Sequence, residues 1–398
     1  MSTLTFDYIV AGGGTVGCIL ASRLSHAGFS VALFEAGPNN YSEQIMSPLA
    51  APKLHGTQLE YNYLSTPQSN PGNRRIPNYG GRFLSGSSAV NHVNRTRCHS
   101  TDYDTWAHIL EPSRPGPRGP MVITTGDRHY PLREPLRGAL SESGLTFNDA
   151  ANGGYFFGFA ALTEKWREGR RQPAGEVYHL SKTAVFTEII VKRVIIDEDA
   201  KIAKGIEMIY GRVFSATKEV IICCGCIKNP QLLGLSGIGP TLRGLAIGHP
   251  LFSKPGNKDG NPIDWIVTAS ILDTSKAAAI DKLAPKDPLI AQPHGHAEFF
   301  VSYAPIAATA FFDHSLAGTH VSTPILGSLP TSHGTVRLAD KESSSDPVID
   351  PNYLATEMDK EAAANWIPAG CAHNARNTPK SIDCRRRDPT TWTAAPNK

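Results

Sequence analysis

The chain of 398 residues has no uninterrupted apolar stretch long enough to cross a bilayer. It also has no basic segment leading into an apolar run near its start, so a secretory signal is not expected and the cytoplasm is the expected compartment. Charge is sparse: Asp, Glu, Lys and Arg make up 19% of residues with a net charge of +3, and no basic stripe is interleaved with aromatic residues. Nucleic acid and membrane are therefore not expected partners. Cysteine is scarce, odd in number at seven and unevenly spread, which fits a reducing compartment better than a disulfide framework. Cys223, Cys224 and Cys226 close an apolar run without any Cys or His pair at zinc-site spacing, so buried inert thiols are expected there and no metal site. No internal repeat is present.

Against these absences, one segment carries chemistry. Gly12-Gly13-Gly14-Thr15-Val16-Gly17 follows the apolar run Tyr8-Ile9-Val10-Ala11 and precedes Ile19-Leu20-Ala21-Ser22-Arg23-Leu24. This is G-x-G-x-x-G between a strand and a helix. Gly12 permits the tight turn, Gly14 lets backbone approach a pyrophosphate, and Gly17 lets helix and strand pack closely. A second apolar strand, Ser30-Val31-Ala32-Leu33-Phe34, ends in Glu35, about 20 residues past the glycines, where a ribose hydroxyl needs an acceptor. The segment implies a dinucleotide without saying which one.

Elsewhere the pattern predicts loops with short elements over 38–79, a Gly/Ser-rich turn running into a helix over 80–107, and a turn-rich connector from Pro112 to Pro120. Residues 132–145 read as helix, and Ile189–Val194, Gly205–Tyr210 and Lys218–Ile222 as strands. A helix is expected to begin at Gln231 behind Pro230. Strands are expected over 263–272, 296–303 and Thr335–Leu338, and a poorly ordered tail from Asn374 to Lys398.

Three further segments carry a family resemblance. Gly81-Arg82-Phe83-Leu84-Ser85-Gly86-Ser87-Ser88-Ala89-Val90-Asn91, followed by Asp102-Tyr103-Asp104-Thr105-Trp106, resembles the first signature of the glucose–methanol–choline (GMC) flavoprotein oxidoreductases. The run from Gly225 to Pro240 resembles the second, and Asp346-Pro347-Val348-Ile349-Asp350-Pro351-Asn352-Tyr353-Leu354 resembles the family's return from its substrate domain. The resemblance implies FAD rather than NAD, and an α/β fold. A Rossmann-like FAD-binding domain, a mostly parallel sheet with a βαβ start, would accompany a second α+β substrate domain built on an antiparallel sheet. The implied division is 1–135 and 185–245 for FAD, 136–184 and 246–345 for substrate, 346–373 as a remnant of the return, and 374–398 as tail.

Carried onto this chain, the resemblance gives the pyrophosphate to Gly12, Gly14, Thr15, Val16 and Gly17, and the ribose to Glu35 with Ala36 beside it. Val191 would meet the adenine through its backbone, and Asn91, His92, Val93 and Asn94 would line the flavin. Some relatives tether FAD through a histidine in this segment. Val90 occupies that position, so FAD is expected to be bound non-covalently.

The family's chemistry is oxidation of a small-molecule alcohol by hydride transfer from a carbinol carbon to flavin N5, with a histidine taking the hydroxyl proton. Here the resemblance weakens. Ser85, His92, Cys98, Cys226 and Asn229 depart from the signatures, and the stretch between Gly239 and Pro250 is short. The family's Trp-His-Pro-x-Gly-Thr stretch is matched by Trp366-Ile367-Pro368-Ala369-Gly370-Cys371, which puts Ile367 where the base belongs. His373, followed by Asn374, and His92 are the candidate substitutes, with His92 the better placed because it adjoins Asn91; His249, His294 and His296 are more remote. Three readings stay open: an FAD-dependent alcohol oxidase or dehydrogenase of intracellular biosynthetic metabolism, a relative with a structural flavin performing a non-redox step, and a truncated, catalytically inactive FAD-binding product.

Overall fold

The computed structural model describes residues 4–109, 119–125, 133–197, 199–238, 245–247, 263–269, 297–302, 325–327 and 330–364. His249, His294, His296, Ile367, His373, Asn374 and the expected tail lie outside the described residues. Strand β1 (Leu4–Ala11), helix α1 (Thr15–His26) and strand β2 (Val31–Phe34) open the chain. The hairpin β3 (Glu60–Leu64) and β4 (Pro77–Gly81) and the single turn α2 (Ser87–Val90) follow. Then come β5 (Ala184–Phe186), β6 (Val191–Asp197), β7 (Ile202–Met208), β8 (Val213–Ile222) and α3 (Gly225–Leu235).

The principal sheet has the order β5–β2–β1–β8–β7–β6. Its centre is parallel, β1 pairing with both β2 and β8, while β6 and β7 form an antiparallel flank. All four residues of β2 are buried, as a parallel strand covered on both faces requires. Alternation along β1 and β2 sorts the core into two layers. Val10, Val31 and Leu33 pack with Cys18 and Ala21 of α1 on one face. Ile9, Ala11, Ala32 and Phe34 pack with Ile206, Phe214 and Leu232 on the other. Phe34 stacks on Phe186 at 4.9 Å and meets Phe214 edge-on at 4.8 Å. Because β2 leaves β1 on one side and β8 flanks it on the other, the carboxyl end of β1 is a topological switch point, the place where such sheets bind ligands.

A second sheet, antiparallel throughout, runs Ile325–Gly327, Ala297–Ser302, Ile263–Ala269, Gly158–Ala161. The expected pairing of a mostly parallel α/β sheet with an antiparallel one is therefore present. Three antiparallel strands, Leu245–Ile247, Gly334–Arg337 and Val348–Asp350, make a third sheet. Gln68 ties it to the hairpin region through a 2.8 Å bond from Nε2 to Asp350 Oδ1.

One local expectation is filled in and one corrected. Among the loops and short elements expected over 38–79, Glu60–Leu64 forms a hairpin with Pro77–Gly81, paired from Glu60↔Gly81 to Leu64↔Pro77. Its alternating Tyr61 and Tyr63 stack at 5.2 Å, a two-residue period too brief to stand out among Asn, Pro and Gly. Helix α3 starts at Gly225, not Gln231, with Pro230 inside it. Asn229 Oδ1 accepts from the Cys224 backbone N–H at 2.7 Å, so a side chain secures the first turn and the proline removes one bond only.

Candidate functional site

The turn after β1 is built by close backbone approach. Gly12 has φ +101°, and a Cβ there would lie 2.4 Å from Cys223 O at the end of β8. At Gly17 a Cβ would lie 2.0 Å from Gly12 O, so only glycine lets α1 start against the turn. Gly14 caps α1 without a side-chain bond, and no acidic residue sits in the first turn. The first-turn N–H groups have no intrahelical partner and carry the positive end of the helix dipole, and Thr15 and Val16 present them. Val16 is 59% exposed, a surface free to be covered by a ligand.

Glu35 follows β2 and is buried. Its Oε2 accepts from Gly13 N–H at 2.9 Å and its Oε1 from Gly37 N–H at 2.8 Å. Burial pushes the carboxyl up to about 7, with the Gly37 and Gly13 donors opposing the rise. A carboxylate offers about four acceptor sites, so acceptor capacity remains for a ligand hydroxyl. Ala36 links it to Gly37, and the Ile189 N–H donates to Glu35 O at 3.0 Å, bringing Val191 to within two residues of the same place.

The opposite wall is the segment from Ser85 to Asn94. Ser85 N–H donates to Gly13 O at 2.7 Å, and a Cβ on Gly86 would lie 2.8 Å from Gly14 Cα. Turn α2 then delivers Asn91, whose Oδ1 accepts from Val93 N–H at 3.1 Å. Val93 is β-branched yet sits at φ +63°, a strained conformation of the kind retained where surrounding contacts over-determine it. Asn94 is 7% exposed, and neither its Oδ1 nor its Nδ2 has a hydrogen-bond partner. A flavin, rich in donors and acceptors, would satisfy that amide, so these residues fit the cofactor implied by the glycine turn.

Arg171, which sequence reasoning did not single out, fixes this wall. Fully buried, it donates from Nε to Ile45 O at 2.7 Å and from Nη1 to both the backbone oxygen and Oδ1 of Asn91. Lysine cannot reproduce that fork. Arg171→Lys is expected to cost about 2–3 kcal/mol of stability, read by denaturant midpoint, and to loosen flavin retention. A wild-type midpoint in the variant would remove Arg171 from this role.

His92 is 2% exposed. Its Nε2 lies 3.0 Å from His55 Nε2, and His55 Nδ1 lies 3.1 Å from both carboxylate oxygens of buried Glu60. His55 and Glu60 escaped sequence reasoning because they lie in the stretch expected to be loops, five residues apart and without a motif. Cys223 and Cys224 are only half-buried and Cys226 is exposed, so the burial expected of all three is not met; desolvation still pushes the thiols of Cys18 and Cys224 up to about 12 and raises those of Cys223 and Cys226. Among the described residues no group of three His, Cys, Asp or Glu side chains could hold a metal ion. No described helix is long and apolar enough to cross a membrane.

Residues 6–255 match the family model for GMC oxidoreductases. The chain is also 42% identical over 406 residues to the GMC-type oxidoreductase acuG of Aspergillus aculeatus, covering 90% of this chain and 78% of that protein. The chain belongs to the GMC oxidoreductase family. An oxygen-dependent choline dehydrogenase of Rhizobium etli is 31% identical over 264 residues, 59% of this chain and 48% of that one. In fold, formate oxidase of Aspergillus oryzae superposes with a TM-score of 0.79 at 21% identity, over 94% of this chain and 81% of that one. GMC oxidoreductases bind FAD, and in this GMC protein the glycine turn, Glu35 and the Asn91–Asn94 wall lie together at the carboxyl end of β1.

Proposed function

We propose that this GMC oxidoreductase oxidises a small-molecule alcohol, a CH–OH donor, within intracellular biosynthetic metabolism. Bound FAD supplies the hydride acceptor. Gly12, Gly14, Thr15, Val16 and Gly17 hold the pyrophosphate, Glu35 with Ala36 beside it holds the ribose, the Val191 backbone meets adenine, and Asn91 to Asn94 line the flavin. Val90 offers no nucleophile in that segment, so the flavin is held without a covalent bond and acid precipitation is expected to release it. The proposed domain division is supported by two sheets, the principal one drawn from 4–34 and 184–222 and the antiparallel one from strands at 158–161, 263–269, 297–302 and 325–327, while the third sheet joins strands from across the division.

The observation that carries the reading is His92, a buried imidazole one residue from Asn91 and two from the unpartnered amide of Asn94. A base near neutral pKa is what removal of an alcohol proton wants. The similarity to a choline dehydrogenase supports an alcohol as the donor. Bleaching of the flavin band when benzyl alcohol, choline or a primary alkanol is added to the anaerobic protein is the expected result. Ile367, standing where the family's base belongs, favours a second reading in which flavin is structural and the step non-redox. A yellow protein whose band persists with every alcohol would support that reading and overturn oxidation.

A further inference from the structure

Lys165 is half-buried, and its backbone N–H donates to Val93 O at 2.7 Å, which seats it against the wall formed by Asn91 to Asn94. Among the described residues its ammonium has neither an ion pair nor a hydrogen bond. Burial, and then the like charges of Arg95 and Arg171, hold that ammonium below the ordinary lysine range. A charge so sheltered is ordinarily paired, because leaving it unpaired away from water is costly.

Arg95 is its neighbour by register. Asn94–Arg95 pairs antiparallel with Thr163–Glu164, Asn94 opposite Glu164 and Arg95 opposite Thr163. The bond from Lys165 to Val93 continues that pairing by one step. Alternation therefore puts Lys165, Thr163 and Arg95 on one face, with Asn94 and Glu164 on the other. Lys165 and Arg95 stand diagonally across the pair, about 7–8 Å apart and within reach of each other's long side chains. The Arg95 guanidinium gives Nη1 to Thr96 O at 2.6 Å, and among the described residues no carboxylate meets it. Arg95 and Thr163 line a cleft together with Asn152, Phe156, Ala160 and Ala161, the last two from the antiparallel sheet. Asn152 fixes its polar side, donating from Nδ2 to Thr163 Oγ1 at 3.2 Å and accepting at Oδ1 from Arg97 N–H at 2.9 Å. Two cations beside an aromatic and aliphatic surface suit an anion carried on an apolar body.

We propose that Lys165 and Arg95 form a subsite for a carboxylate, and that the alcohol this protein takes carries one, joined to its carbinol by an apolar body. The proposal rests on the alcohol-oxidation reading for the carbinol end, while the carboxylate end stands on the two cations and the cleft. The two oxygens of a carboxylate accept from ammonium and guanidinium together, and these charge-assisted bonds cancel the like charges. Phe156, Ala160 and Ala161 offer the connecting body an apolar surface. The subsite adjoins Val93 and Asn94, so a substrate anchored there lies along the wall that the flavin would share. Lys165 and Arg95 thus set which alcohol is accepted and take no part in moving the hydride.

Benzoate and benzamide, alike in shape and different in charge, test the carboxylate end without turnover. In calorimetric titration of the FAD-loaded protein, benzoate is expected to bind at least about tenfold more tightly than benzamide. Lys165→Met, which keeps the stem and removes the charge, should erase that preference, and so should Arg95→Met. Lys165→Met should also melt no lower than the wild type, since it removes a sheltered, unpaired charge. Equal binding of the two probes, no binding of benzoate, or an unchanged preference in both variants overturns the subsite. Loss of FAD from Lys165→Met would assign the cation to the cofactor and overturn it too. In stopped-flow reduction, 4-(hydroxymethyl)benzoate should exceed 4-(hydroxymethyl)benzamide at least about tenfold in limiting rate over half-saturating concentration, and the ratio should fall to near one in Lys165→Met. Equal values for the two alcohols in the wild type overturn the proposal. If neither alcohol bleaches the flavin, alcohol oxidation fails, and the benzoate titration still decides whether the two cations hold a carboxylate.

Discussion

Gly17→Ala is expected to purify colourless and to melt well below the wild type. The added methyl would sit 2.0 Å from the Gly12 carbonyl oxygen, a backbone atom in the turn proposed to hold the cofactor phosphates. Neither side can yield cheaply. Gly12 is itself pinned, its N–H donating to Phe34 O at 2.8 Å while Cys223 packs behind it. Overpacking of this kind costs about 1–3 kcal/mol, and a backbone clash belongs at the upper end. The same distortion displaces the first-turn N–H groups, so FAD affinity should fall about a hundredfold or more, the equivalent of roughly 3 kcal/mol. Gly28→Ala makes the contrast. Gly28 also has positive φ, at +96°, but nothing lies within 4 Å of its added Cβ. That variant should lose about 1–3 kcal/mol to backbone strain alone and stay yellow. Equal loss of flavin from both variants would show that the turn is not the pyrophosphate cradle.

FAD affinity should rise with pH and level off near neutrality. Burial raises the Glu35 carboxyl from 4.5 to about 7. The folded protein therefore keeps a proton that the unfolded chain has already lost between about pH 4.5 and pH 7, and this group's contribution to stability declines across that window. At about 1.4 kcal/mol per pKa unit the decline amounts to roughly 3 kcal/mol. On the proposed reading, ribose hydroxyls donating to the carboxylate favour its ionised form, so binding is penalised where Glu35 is protonated. Titration of apoprotein with FAD should show affinity rising up to about tenfold per pH unit below pH 7 and flat above. In Glu35→Gln the slope should vanish and affinity should stay low throughout, because one glycine N–H then meets an amide NH₂ instead of an oxygen. An unchanged slope in that variant would exclude Glu35 as its source.

The residues that sequence reasoning located best are those whose chemistry is local. Gly17 is read from spacing because it answers a contact within one strand–turn–helix unit, with the Gly12 carbonyl, and Glu35 because β2 must end beside β1, whereas Gly12 is read from its place in the motif although the backbone it approaches, at Cys223, lies far along the chain. The strands β6, β7 and β8 are legible as Ile- and Val-rich runs, since burial on a sheet leaves that composition. Arg171 and the line Glu60–His55–His92 are not legible. Arg171 reaches Asn91 across 80 positions, and His55 reaches His92 across 37, so neither pair has a spacing that any local period encodes. The hairpin that carries Glu60 was hidden for the opposite reason, its alternation being only two tyrosines long.

The central strand has a consequence for how the molecule is made. β1 is complete only when β8 lies against it, and the residues that meet stand about 210 positions apart, as in the bond from Thr217 Oγ1 to Asp7 Oδ1. At ribosomal speeds of about 5–20 residues per second, the first strand waits roughly 10–40 s for its partner to emerge. During that interval the β1 edge stays unpaired, and until Ala184–Phe186 emerges the outer edge of β2 is open as well. The turn at Gly12 cannot close either, since Cys223 forms its floor. Assembly of the cofactor crevice is thus a late, long-range event in this chain, and its amino-terminal third stays aggregation-prone until residue 222 has been synthesised.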